Sequence, residues 1–312
     1  MTTVPRLTLW LYRLAAFFTL TTVSLGSVVC ATRSGFDCRS WPGCYDDRFA
    51  PGASDIPAVL EANPALEMVH RVIAMSTGGV LILAALASLA LAGQGRLVRI
   101  LPWVAAFAAG GSALFGRAAV LGIDITRWGS AADILCAFTS MSATLVAAVA
   151  LGRGGGVRLA RTPISKPAAV AFGLLVVVYL GGLFAAGYRS FTRCLSWPIL
   201  WLASDDDLGL QIARSVLAVG VLGAIVVTVR ATRGTALRLH GLVVAALTVG
   251  VLVLGAVYRF TDADGGLRGI AFSLTSVALL WTLLLLAARA GLVPGARRPD
   301  GSPAHEDALA AA

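Results

Sequence analysis

A chain of 312 residues that is 58% hydrophobic and 13% charged has too little polar surface to cover a water-soluble core, since soluble domains carry about 25% charged residues. The formal net charge of +9 would suit a nucleic-acid binder, but the basic residues sit in short segments between long apolar runs. That distribution reads as membrane topology, and it excludes both a soluble domain and a nucleic-acid partner.

A membrane-spanning helix needs about 20 apolar residues. Eight stretches supply them: 8–31, 66–92, 100–122, 131–152, 168–187, 208–229, 239–258 and 269–291. Their continuous Leu, Ala and Val content predicts an all-α membrane protein rather than a β-barrel. The first stretch follows Arg6 and Arg13, as a signal peptide would, but it is long for one and has a counterpart in the fifth stretch, so it reads as retained. The segments after the second, fourth, sixth and eighth stretches each carry several basic residues, among them Arg96, Arg99, Arg158, Lys166, Arg230 and Arg298. Apart from Asp300, Glu306 and Asp307, the acids fall on the other side. Positive-inside reasoning places both termini in the cytoplasm, with the chain in the cell membrane as a multi-pass protein.

An outer segment after the first helix and one after the fifth match at an offset of 156. Residues 33–42 read RSGFDCRSWP and residues 189–198 read RSFTRCLSWP. Shared Cys, Trp and Pro, which are rare residues, argue for an internal repeat of two parallel four-helix halves. The expected organisation is a first half at 1–152, a Gly- and Pro-containing cytoplasmic linker at 153–166, a second half at 167–292 and a disordered tail at 293–312.

Chemistry concentrates in the first half. Cys38 and Cys44 flank Trp41-Pro42 in the long outer segment 32–65 and are disulfide candidates, read equally as a redox-active pair or as a staple. Cys30 and Cys136 read as apolar filler, and Cys194 has no obvious partner in its own segment. Glu67 and His70 lie on one helical face at i, i+3, beside Arg71. Charged groups in a span are costly and line a site or pair with one another. An imidazole there suits haem iron or a divalent metal. A carboxylate can orient it or accept a proton, and Arg71 can hold a propionate or phosphate. The same three residues would also serve as a plain interface anchor. Arg117, Asp124, Arg127 and Asp133 lie at similar depth, as do Arg214, Arg259, Asp262, Asp264 and Arg268 in the second half. These read mainly as ion pairs. His240 opens the seventh helix at the opposite face, and His305 lies in the tail.

These residues resemble the haem A synthase family, which has eight helices in two four-helix halves. The likeness rests on Gly26, Thr32, Arg33, Ser34, Gly35, Cys38, Trp41, Pro42, Cys44 and Pro51, followed by Glu67, His70 and Arg71. It implies an oxidoreductase of haem A biosynthesis that converts a methyl group of haem O into a formyl group. Glu67 would be catalytic, His70 an axial ligand of haem iron, Arg71 a propionate contact, and Cys38 with Cys44 the loop pair. Partners implied are haem O, haem O synthase or terminal-oxidase assembly factors, and the lipid bilayer. The family has axial histidines on helices two, four, six and eight, whereas this chain has only the first. Ala213, with Phe272 and Ser273, stands where the second half would need histidines for a haem b, and helix four offers only Asp133 or Cys136. A non-catalytic haem-binding or oxidase-assembly protein of the same fold is therefore the alternative. A transporter, suggested by the parallel repeat alone, ranks below both.

Overall fold

In a computed structural model, which describes residues 6–55, 63–91, 93–123, 125–185, 195, 197, 208–260 and 266–294, the chain is a multi-pass membrane protein of eight helices long and apolar enough to cross a bilayer. They are α1 (Arg6–Ala31), α2 (Pro64–Leu89), α3 (Arg96–Val120), α4 (Arg127–Gly152), α5 (Ser165–Ala185), α6 (Leu208–Thr232), α7 (Arg238–Phe260) and α8 (Gly266–Gly291). Each apolar stretch read from the sequence falls on one of them. Most helices begin two to four residues before the apolar run, because backbone hydrogen bonding continues into polar residues where a cap accepts the first N–H groups. Asn63 caps α2, accepting from Ala65 and Leu66, and Thr126 caps α4 through Gly129.

The helices form two closed sets of four. In the first, α1 packs on α2 and α4, α2 on α3, and α3 on α4; in the second, α5 packs on α6 and α8, α6 on α7, and α7 on α8. The sets meet where α8 touches α1 and α4, and where α4 touches α5. Polar pairs pin this seam and its flanks. Ser273 on α8 donates to the Ser27 carbonyl of α1 at 3.1 Å, and the two hydroxyls lie 2.7 Å apart. Tyr179 on α5 donates to the Ser276 carbonyl at 3.2 Å.

Pro102 sits inside α3 and has no N–H to donate, which leaves the carbonyl four residues earlier without its helical partner. The Tyr12 hydroxyl of α1 donates to that carbonyl, Val98 O, at 2.7 Å, and Tyr12 is buried. The proline break is thereby turned into a contact between α1 and α3.

At the end opposite the 32–63 segment, the linker is ordered. Residues Val157–Leu159 form β1, which pairs antiparallel with β2, Leu292–Pro294, just past α8. Thr162 and Ser165 bond reciprocally, each side-chain oxygen accepting the other's N–H at 2.8–2.9 Å, and this pair starts α5. Within the linker expected at 153–166 the chain thus forms a strand and a helix start, and Val293 and Pro294 of the expected tail belong to β2. The remainder, 295–312, lies outside the described residues.

Candidate functional site

The first helix ends at Ala31, and the Thr32-Arg33-Ser34-Gly35 sequence makes the turn that follows. Arg33 takes the left-handed conformation (φ 58°) and a 3-10 turn covers Ser34–Phe36. The buried Ser34 hydroxyl accepts the Asn63 N–H at 2.9 Å, so the end of α1 is tied to the cap of α2. That cap places Glu67 one turn into α2, where the helix dipole favours a carboxylate.

Cys38 and Cys44 are joined in a disulfide, and both are buried. The loop they close lies over Arg71. Its guanidinium donates to the carbonyls of Cys38 (2.8 Å), Gly43 (2.8 Å) and Ser40, and its Nε donates to Glu67 Oε1 at 2.8 Å. Arg71 and Glu67 are both buried. Arg71 is therefore a clamp between the disulfide loop and the acid, and four of its N–H groups are spent on protein partners. A buried disulfide is shielded from attacking thiolates, so the geometry favours a staple. Glu67 turns its second oxygen toward His70, with Oε2 3.9 Å from Nδ1. The other side of the imidazole meets α1, where a Cβ on Gly26 would stand 3.3 Å from His70 Nε2. A glycine at 26 thus leaves room for the ring.

Glu67, His70 and Arg71 line the top of a cavity of about 380 Å³ among α1–α4. Its walls are small and apolar, including Ala106, Ala109, Gly110, Gly116 and Ala137. A Cβ on Gly78, Gly110 or Gly116 would meet no other atom within 4 Å. Its floor carries hydroxyls. Thr22 and Thr77 bond at 2.7 Å, and Thr19 bonds Thr144 at 2.9 Å. The Ser140 hydroxyl lines the cavity, buried and with no hydrogen-bond partner, so it is available to a ligand. Asp133 faces the cavity from α4, held by the Ser112 hydroxyl of α3. Met75, Ile82, Ala113 and Arg117 line the cavity and are exposed, so it opens sideways between α2 and α3. A cavity walled by small residues and open between α2 and α3 suits a mainly apolar molecule. Among the described residues no three His, Cys, Asp or Glu side chains converge as a metal-binding group.

Sequence reasoning missed Ser112, Ser140 and the threonine floor, although hydroxyls at 19, 22 and 77 in otherwise apolar helices were a usable signal. Other expectations resolve as follows. Cys30 is disulfide-bonded, not filler. It stands exposed at the end of α1, and its partner lies outside the described residues. Cys136 is a free thiol close to Gly111 of α3. Met141 is fully buried in the core, as packing requires. Of the expected ion-pair cluster, Asp124 lies outside the described residues, and neither Arg117 nor Arg127 makes an ion pair with Asp133. Arg127 donates instead to the Phe184 carbonyl at 3.3 Å. Asp262 and Asp264 lie outside the described residues. His240 is at the far end and accepts from Arg289 at 2.8 Å.

The second set of helices has a large buried core among the described residues. Phe272 is fully buried in its core, together with Leu279, Leu280 and Leu283. Ala213 is exposed, while Arg214 beside it is buried and donates to the Val178 carbonyl at 3.1 Å. Trp197 is buried, whereas Trp41 is 42% exposed.

Asp37 lies beside this site in the loop, with Oδ2 buried and unpartnered. Burial, and next the nearby Glu67 charge, raise its pKa above the usual value, with Arg39 acting in the opposite direction. A carboxyl raised on folding contributes its stability below its unfolded pKa and loses it as pH rises through the folded one. Wild type should therefore lose stability relative to Asp37→Asn as pH rises from about 4 to neutrality, measured by thermal unfolding at both pH values. Equal pH profiles would contradict this.

No protein-family model and no curated protein matches the chain, so the residues of this cavity carry the functional argument.

Proposed function

We propose that the chain is a haem-handling membrane protein similar to haem A synthase, built as two parallel four-helix repeats with both termini in the cytoplasm. Its first four helices would hold a haem and oxidise it. The observation that carries this reading is a single imidazole, His70, set beside a clamped carboxylate at the top of a glycine- and alanine-walled cavity that opens between α2 and α3. The donor set fits the group. His70 would hold the iron, and the small-residue walls would leave room for the ring. Bound haem O would supply both the redox-active iron and the methyl group to be oxidised. Glu67 would orient the imidazole through Nδ1 and offer a proton-accepting oxygen at Oε2. Arg71 would position Glu67 and the loop rather than touch the haem. The disulfide loop, with Trp41 and Pro42, would cover the site and exclude water. No second haem is assigned: Phe272 is fully buried in the core of α5–α8, and neither it nor the exposed Ala213 can ligate iron.

The alternative, a haem-binding or oxidase-assembly protein without catalysis, is favoured by one observation. Glu67 already shares an oxygen with Arg71 at 2.8 Å, which suits a structural acid.

Protein produced with haem O supplied, then examined by absorption spectroscopy and pigment extraction, tests both readings. Haem A in the extract supports the enzyme. Retained, unconverted haem supports the binding role, and folded protein without haem rejects both.

A further inference from the structure

We propose that Arg117 is the anion anchor of the cavity, holding a carboxylate of an amphiphilic ligand whose apolar body lies between α2 and α3. The ligand class rests on the haem reading above, and the inference adds the residue that fixes the orientation of its acid end.

Arg71 is the arginine nearest the imidazole, but its donors are committed to Glu67 and three loop carbonyls. Arg117 lines the same cavity from the last turn of α3. Its only contact of this kind among the described residues is with Trp41, whose ring centre lies 5.2 Å from the guanidinium carbon. Stacking on an aromatic face fixes a guanidinium plane while leaving its edge N–H groups available for a bidentate carboxylate. Trp41 stands in the loop that Arg71 clamps, so the disulfide, Arg71 and Trp41 together set where the Arg117 charge sits.

The interior is arranged to refuse an acid. Asp133 is bonded to Ser112, which lies five residues from Arg117 along α3, about 7.5 Å deeper by helix rise. An anionic group driven to that depth would meet a carboxylate and the small apolar wall. At the rim it meets an exposed cation. A ligand arriving sideways from the bilayer would thus settle with its acid end at the interface and its ring inward. The unpartnered Ser140 hydroxyl lies in the deep part of the cavity, where it can meet a polar substituent on the buried end.

A lipid phosphate could occupy Arg117 by the same chemistry, and the test separates the two sources. Full-length wild type, Arg117→Gln and Arg117→Lys are placed in nanodiscs of phosphatidylcholine, with or without phosphatidylglycerol. Each is titrated with haem and with haem dimethyl ester, and co-purifying lipid is measured. A lost charge-assisted bidentate pair is expected to weaken haem binding by about tenfold or more in Arg117→Gln. Ester binding should stay within about twofold of wild type. Lysine should restore part of the loss, and anionic lipid should change none of this. Unchanged haem binding, or equal weakening of acid and ester, would overturn the proposal. So would an effect confined to retention of anionic lipid. Folded wild type that binds neither compound would reject the haem reading itself, and this inference with it.

Discussion

Replacing Arg71 with alanine is expected to destabilise the protein by about 3–5 kcal/mol, the usual result of removing one partner from a buried ion pair. The loss has two sources. Glu67 would remain buried with no opposing charge, and the carbonyls of Cys38, Ser40 and Gly43 would lose the donors that hold the loop on α2. Arg71→Lys should recover little, because a single ammonium cannot reproduce a planar fork that reaches a carboxylate and three carbonyls. The double variant Glu67→Leu with Arg71→Met should be more stable than Arg71→Ala alone, since it removes the stranded charge. Thermal unfolding in detergent gives the ranking, and limited proteolysis should show faster cutting within 38–49. Arg71→Ala with wild-type unfolding and intact loop protection would mean that the clamp contributes nothing.

The second large effect is expected at His70. Alanine there should remove bound haem from purified protein, with loss of the haem absorption band and of extractable pigment. Global stability should change little, because the imidazole is 27% exposed and its contact with Glu67 spans 3.9 Å. Imidazole added to His70→Ala should restore part of the haem band by filling the vacated ligand position. Full haem content in the variant would place the ligand elsewhere. Unfolded protein would be identified by the same thermal assay that reads Arg71→Ala, so the two losses are separable.

The eight helices were legible because each needs an apolar run of bilayer length, and composition reports that directly. The Glu67–His70–Arg71 group and the Cys38–Cys44 pair were legible because charged and thiol groups are scarce in such a chain. What each does was less so. Arg71 read as a contact for an external anion, since sequence spacing shows only its i, i+4 partner and not the carbonyls of a loop some 30 residues away. The cavity itself was invisible, because glycine and alanine walls look like ordinary helix packing. Cys30 misled for a related reason. It belongs to an apolar helix by sequence, yet at the last turn it is exposed and disulfide-bonded. The strand β1 was not legible either: glycine and proline report local freedom, while β1 is fixed by a strand more than 130 residues later.

That pairing has a consequence for biogenesis. As the chain emerges, α1–α4 and β1 are complete before α5 has been made, but β1 has no partner until Pro294 leaves the ribosome. The connection between the two sets of helices is therefore closed last. A protein shortened before Leu292, or carrying a fusion joined directly at Gly291, would have all eight helices and still lack the latch that joins the midpoint of the chain to its end.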